Sequence, residues 1–236
     1  MRAIFKREVR AYFSSAIGYV FLAVFLLLSG LYFVVVNLSG GDGQMSSMMG
    51  SFAGVLFLLI PILTMRLMAE DRAQRTDQLL LTAPVSLTQI VVGKYLAACF
   101  VFFAASVATA PYLLILFLYG EPYWVEVLLA YLGLWLLGGA MIAVGQFISS
   151  LTERQLVAAL LNLCVLFLLT SFDSLTASLQ SRWLLEMLRF FAPLSYFDAF
   201  IINVFRPAAL LYFLLFIGTF LFLTVQVMQG RRYGKG

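Results

Sequence analysis

Hydrophobic positions in this chain form long unbroken runs instead of alternating with polar positions. Six runs are long enough to cross a hydrocarbon core of about 30 Å, which takes about 20 helical residues. Because the runs are continuous, and because a helix satisfies its own backbone hydrogen bonds in lipid, they predict helices and not the strands of a barrel. The predicted spans are Ile17–Leu38, Met48–Met65, Tyr95–Leu118, Val125–Ile148, Leu156–Phe172 and Ala208–Met228.

The segment before the first run, residues 1–16, predicts a helix that lies in the membrane interface. Four apolar residues at helical spacing would form one face, and basic residues would point toward lipid headgroups. The apolar set is Phe5, Val9, Tyr12 and Phe13, and the basic set is Lys6, Arg7 and Arg10. The alternative is that these charges are only the basic flank of the first span.

The six spans fill a membrane domain over residues 17–228, followed by a short tail over 229–236. Between the last two spans, residues 173–207 are too long for a simple connector. An amphipathic stretch from Leu184 ends at Pro193, and an apolar stretch interrupted by Asp198 follows. This pattern predicts a re-entrant helical hairpin at the external leaflet, with charged groups at headgroup level.

Composition supports the membrane assignment and orients the chain. Hydrophobic residues make up 63% and charged residues 11%, against about 45–50% and about 25% in soluble domains. Twelve Lys and Arg residues flank one side of the predicted spans and three flank the other. The positive-inside rule therefore predicts that both termini are cytoplasmic.

Residue types that are missing narrow the function. No predicted span carries an ionisable residue near its centre, which argues against proton-coupled transport. Neither Gly-Lys pair has the flanking residues of a phosphate-binding loop, so any ATP would be bound by another polypeptide. The chain has no histidine, and Cys99 and Cys164 lie on different predicted helices. We therefore expect no metal site, no disulfide and no catalytic residue in this chain.

The loop between the second and third spans, residues 69–88, is short, charged and partly helical. Six charges fall within residues 66–77, and a Leu triplet and Pro84 follow them. By charge alone, this loop could be a solvated connector at the membrane surface. The order of residue types from Pro61 to Ala97 resembles the permease subunits of type-2 ABC transporters. The matching positions are Pro61, Thr64, Met65, Arg66, Ala69, Glu70, Thr76, Leu79 to Leu81, Thr82, Pro84, Val85, Ser86, Gly93, Lys94, Leu96 and Ala97.

Two further segments resemble the same family. The N-terminal REVRAYFSSAIGYV follows its pattern, except that Ala16 stands where proline is usual. The external APLSYFDAF is similar to permeases of the gliding-motility-like branch, although Tyr196 replaces a histidine and a later acidic residue is missing. The resemblance implies a bacterial inner-membrane exporter with a second permease copy, identical or related. It also implies two ATP-binding cassette subunits, which would hold the ATP and magnesium. The expected surroundings are the lipid bilayer, with no nucleic acid.

The resemblance also implies which residues would carry the function. The charged loop would seat in the ATPase as a coupling helix through Arg66, Glu70, Asp71, Arg72, Thr76, Leu79 and Leu80. The hairpin would form an external gate through Leu184, Leu188, Pro193, Tyr196 and Asp198. Two alternatives stay open. The chain could drive a membrane-anchored extracytoplasmic partner without passing a substrate, or it could be a membrane scaffold that needs no ATPase.

Overall fold

The computed structural model describes residues 2–74, 86–119, 123–176 and 192–233, with side chains described except at 119, 172–176, 232 and 233. Within these residues the chain is all-helical. The α-helices are α1 Arg2–Ser14, α2 Ala16–Tyr32, α3 Met45–Ala53, α4 Leu56–Thr64, α5 Ala69–Ala73, α6 Leu87–Val107, α7 Ala110–Tyr119, α8 Trp124–Leu151, α9 Gln155–Thr176, α10 Pro193–Ile201 and α11 Pro207–Tyr233. Helix α2 continues as a π-helix over Phe33–Ser39.

Length and composition identify four candidate membrane spans among the described residues. They are Ala16–Ser39, Leu87–Leu118, Trp124–Leu151 and Pro207–Arg231. A fifth is added if Met45–Ala53 and Leu56–Ala73, which meet at 63°, count as one broken span. The segment Gln155–Ser171 is apolar over 17 residues, or about 26 Å at 1.5 Å per residue, and the helix α9 that contains it continues to Thr176. The fifth predicted span, Leu156–Phe172, falls on this helix and therefore stays a prediction, whereas the sixth, Ala208–Met228, coincides with the candidate span Pro207–Arg231.

The sharp bend in the second span lies at Gly54 and Val55, between α3 and α4. The proline of this segment, Pro61, lies within α4 instead. A proline removes a backbone donor and commonly kinks a helix, but here the larger change of direction precedes it. The bend places the end of α4 beside the last turn of α8, where Ser149 contacts the backbone of Met65 at 3.2 Å.

Helix α8 is the centre of the bundle and packs against α3, α4, α6, α9, α10 and α11. In its most apolar window 72% of the residues are buried, against 22–33% in the other three candidate spans. Its small residues allow this close approach. A Cβ at Gly133 would lie 2.8 Å from Phe200, and Gly139 faces Tyr95 and Ile217. Ala143 is fully buried, so the small residues of this helix serve packing within the subunit.

Helix α1 forms as the sequence predicts, and one of its faces packs against the rest of the protein. Ile4, Glu8 and Tyr12, each one helical turn apart, pack against the bundle, whereas Phe5 and Val9 are only half-buried. The predicted apolar set of Phe5, Val9, Tyr12 and Phe13 is thus divided: Tyr12 packs on the bundle, and the contact of Phe5 and Val9 with lipid stays a prediction. Glu8 joins the bundle face because it pairs with a cation on α6.

The second arm of the predicted external hairpin is helix α10, which packs between α3, α8, α9 and α11. Phe197 and Phe200 are completely buried in these contacts. The chain then turns at Asn203, which has a positive φ of 61°, and enters α11 at Pro207. The first arm, with Leu184 and Leu188, lies outside the described residues.

Candidate coupling site

The charged segment after α4 is held against the bundle by its own side chains. Arg66 lies between α4 and α5, and Glu70, Asp71 and Arg72 lie on α5. Both carboxylates fall in the first turn of α5, where the helix dipole favours negative charge. Thr76, Leu79 and Leu80, which the sequence also assigns to this site, lie outside the described residues.

A buried serine of α8 caps the start of α5. The Ser149 hydroxyl accepts hydrogen bonds from the backbone N–H groups of Met68 and Ala69, both at 3.1 Å. It also donates to the carbonyl of Met65 at 3.2 Å. The first N–H groups of a helix have no partner within the helix, so this single hydroxyl fixes the start of α5 to the end of α8.

Arg66 connects α5 to the junction of α1 and α2. Its Nε lies 2.7 Å from Glu70 Oε2, and its Nη1 donates to the Ser15 hydroxyl and to the Ala11 carbonyl. The guanidinium also lies over the Tyr12 ring, 5.1 Å from its centroid. Such a stack adds a cation–π attraction to the ion pair.

Tyr12 completes this contact from α1. Its hydroxyl donates to the carbonyl of Leu63 at 2.7 Å, near the end of α4. Burial raises the pKa of the Tyr12 phenol far above its ordinary value, because a phenolate would lose its hydration there. The hydroxyl therefore keeps its proton and remains a donor to α4.

A buried lysine joins α5 to α1 and α6. Lys94 of α6 is 1% exposed, and its Nζ lies 2.6 Å from Asp71 Oδ2 and 2.9 Å from Glu8 Oε1. An ammonium group removed from water needs such partners, because the desolvation of an unpaired charge is costly. One cation thus ties three helices that are far apart in sequence.

Arg7 extends the same network toward solvent. Its Nη2 lies 2.7 Å from Glu8 Oε1 and 3.6 Å from Asp71 Oδ2. Partial burial opposes the charge on Arg7, but the hydrogen bond to Glu8 and the attraction of both carboxylates outweigh it and raise its pKa. A cavity of about 230 Å³ lies among these groups and is lined by Arg7, Glu8, Ala11, Arg66, Glu70, Asp71, Gln74 and Lys94.

The family of the chain follows from a comparison of its sequence with known proteins. The profile of the family described as ABC-2 family transporter protein matches residues 15–228. The chain belongs to the ABC-2 transporter family. No curated protein matches the sequence. The family membership makes the chain a multi-pass membrane component of a transporter. Permease subunits of this family are generally non-catalytic, and the family implies an ATP-binding subunit as partner.

In this ABC-2 permease, Arg72 attaches the far side of α5 to the link between α8 and α9. Its Nη2 lies 2.7 Å from Glu153 Oε1, and its Nη1 donates to the Ser150 carbonyl at 3.5 Å. Glu153 is mostly exposed, whereas Arg72 is largely covered. This pair is therefore a surface contact, unlike the pair between Lys94 and Asp71.

The residues that the sequence assigns to an external gate and that the structure describes, Pro193, Tyr196 and Asp198, lie on α10. Pro193 is the first residue of that helix and is buried. Tyr196 stacks on Tyr212 of α11, with ring centroids 3.9 Å apart and planes at 12°, and Asp198 is exposed. Together these contacts hold the hairpin arm against the last span, while their role as a gate stays a prediction.

Glu8, Lys94 and Ser149 belong to the site although the sequence did not predict them there. A signal for two of them was present. Lys94 lies inside the apolar helix α6, and ionisable residues in such positions usually have a specific partner. Glu8 is the single acidic residue among the four basic ones of residues 2–10. Ser149 has no comparable signal, because its importance comes from the bend that places α5 beside it.

Proposed function

We propose that this permease subunit couples ATP hydrolysis by separate cytoplasmic ATPase subunits to outward substrate movement across the inner membrane. In this proposal α5 and the rest of residues 69–88 seat in the ATPase. The observation that carries the proposal is the attachment of α5 to the bundle: Ser149 ties it to α8, Lys94 to α6 and α1, and Arg66 to the start of α2.

These contacts supply a physical route for the motion. Helix α5 has five residues and contributes little apolar burial of its own, so a force on it is passed on through its polar contacts. Packed and charge-paired elements shift between discrete arrangements because they do not deform continuously. A displacement of α5 therefore moves Glu8 and Lys94 with it, and through them α1 and α6.

We infer two ATPase subunits and a second permease copy, because one ATP-binding cassette works with another and each permease has one such loop.

The proposal also requires a defined orientation. The distribution of Lys and Arg predicts that Gln74 and both termini lie on the cytoplasmic side. Membrane-impermeant thiol labelling of intact cells, in a background without Cys99 and Cys164, should modify a cysteine at Gly41. It should not modify one at Gln74 or Gly234. Labelling at Gln74 would reverse the orientation and remove the coupling proposal.

A charge reversal tests the coupling itself. The variant Glu70→Lys with Asp71→Lys should still insert, at a cost in stability because Lys94 loses a carboxylate partner. It should lose the co-purifying ATP-binding subunit, or leave its ATPase activity unresponsive to the permease. Asp42→Lys, between α2 and α3, is the matched control and should change neither measurement. An unchanged complex with unchanged ATPase activity in the double variant would show that the segment is only a connector.

We propose that α10 and the preceding arm form the external gate, since the Tyr196–Tyr212 stack couples this arm to the last span. Asp198→Leu and Leu188→Asp should then impair transport while the ATP-binding subunit still co-purifies. Loss of the ATP-binding subunit in either variant would contradict a gate located away from the coupling site.

A further inference from the structure

A groove of about 790 Å³ lies between the outer face of α1 and the side of α6. Three cations line it, and apolar side chains form its floor. The cations are Lys6, Arg7 and Arg10, and the apolar residues are Ala3, Phe5, Val9 and Phe100. A groove lined by both cations and apolar side chains fits an amphipathic ligand of negative charge.

The apolar floor continues along α6. Phe5 and Phe100 meet edge to face, with centroids 5.9 Å apart. On α6, Leu96, Phe100, Phe103 and Val107 are each 40–47% exposed. Their spacing of four, three and four residues places them on one helix face, over about 16 Å of helix. The apolar lining of the groove therefore continues along α6 as an exposed apolar stripe, which begins at the cationic end of the groove.

An apolar notch opens beside this stripe. It has a volume of about 150 Å³ and lies between α6 and α8, where Phe103 belongs to both the notch and the stripe. Its other lining residues are Cys99, Phe102, Trp135 and Gly139. Cations, an exposed apolar stripe and a notch therefore follow one another along a single helix.

We propose that this groove binds one anionic phospholipid, with its phosphate against Lys6, Arg7 and Arg10 and an acyl chain along α6 toward the notch. Basic pockets between helices near the membrane surface bind anionic headgroups, and buried methylene groups add to the affinity. A free phosphate would use the three cations but leave the aligned apolar stripe without a role. The proposal requires only that the chain lies in a membrane, so it stands apart from the coupling mechanism.

The position of Arg7 decides how the site can be tested. Arg7 pairs with Glu8 at 2.7 Å and Asp71 at 3.6 Å, so its replacement would also disturb the coupling site. Lys6 and Arg10 are exposed and one helical turn apart. Lys6→Gln with Arg10→Gln is therefore the informative variant. Arg2→Gln with Arg154→Gln removes two exposed positive charges outside the groove and is its matched control.

Trp135 is a reporter already in place, because it lines the notch. The chain has three tryptophans, so Trp124→Phe with Trp183→Phe leaves Trp135 alone. This protein is reconstituted in vesicles that mix phosphatidylcholine with phosphatidylglycerol, with bromine on the acyl chains of one lipid at a time. Bromine quenches tryptophan at contact, so the quenching gives the preference of the site for the anionic lipid.

We expect Trp135 to prefer brominated phosphatidylglycerol, and Lys6→Gln with Arg10→Gln to weaken that preference by up to roughly 30-fold, about fivefold per cation. The control pair should keep the preference, and inorganic phosphate should not reduce it. Equal quenching by the two lipids would overturn the proposal. Equal losses in both variant pairs would indicate diffuse surface charge, and displacement by inorganic phosphate would indicate an anion site, so either result also contradicts it.

Discussion

The two ends of α8 hold their neighbours in different ways. In the last turn, Ser149 caps α5, and beside it Lys94 joins Glu8 to Asp71. In the first turn, Glu126 is 2% exposed, and its Oε1 accepts a hydrogen bond from the backbone N–H of Ser46 at 3.0 Å. At the Ser149 end, a neutral cap is accompanied by ion pairs between distant helices. At the Glu126 end, a carboxylate lies at the start of α3.

This difference separates an end that can transmit motion from an end that fixes a helix start. At the Glu126 end the partner is a backbone amide of α3, and its position is set by that helix. At the other end, Lys94 of α6 pairs with side chains on two further helices, Glu8 of α1 and Asp71 of α5, so a shift of any one of these helices acts on the other two. The proposed coupling therefore assigns the response to an ATPase to the ion-paired end.

The largest effect should come from Lys94→Met. It leaves Glu8 and Asp71 without their shared buried partner, and removal of one member of a buried pair costs about 3–5 kcal/mol. Equilibrium unfolding in mixed micelles should show this loss. The triple variant Lys94→Met, Glu8→Gln, Asp71→Asn removes all three charges and should recover most of it. A triple variant as unstable as the single one would mean that packing, and not charge, is responsible.

At Glu126, loss of the hydrogen-bond acceptor should cost more stability than loss of the charge. Glu126→Ala removes the acceptor of the Ser46 amide and should cost about 1–3 kcal/mol. Glu126→Gln keeps an acceptor and loses only the attraction to the helix dipole, about 0.3–1 kcal/mol. The hydrogen-exchange rate of the Ser46 amide should rise in Glu126→Ala and stay unchanged in Glu126→Gln. The free energy of unfolding is measured on the same variants. Equal losses of unfolding free energy in the two variants would contradict the proposed difference between the two ends of α8.

The smallest effect should be at the surface pair of Arg72 and Glu153. Because Glu153 is 70% exposed, their coupling energy should be about 0.2–1 kcal/mol and should fall as salt is added. A double-mutant cycle with Arg72→Gln and Glu153→Gln measures it. A coupling energy as large as that of the Lys94 network, independent of salt, would show that burial does not separate the two kinds of contact.

The hydrophobic pattern was sufficient for the helical class, for helix α1 and for four spans, because each depends on residues close together in sequence. It was not sufficient for the buried face of α1. Amphipathicity favours Phe5 and Val9, whereas the contact between Glu8 and Lys94 depends on how α1 meets α6. The family resemblance located Arg66 and α5, but their attachment to Ser15 and Ser149 requires the bend at Gly54 and Val55, which no local signal predicted.

Photo-cross-linking from Gln74 tests the central claim most directly. Gln74 is exposed just after α5, so a photoreactive residue there should form an adduct with the co-purifying ATP-binding subunit. The same photoreactive residue in place of Gln44, before α3, is the control and should form no adduct with the ATP-binding subunit. The account predicts an adduct at Gln74 whose yield changes when ATP is added. An ATP-binding subunit that co-purifies with the chain but never cross-links at Gln74, or that cross-links at Gln44, would contradict it.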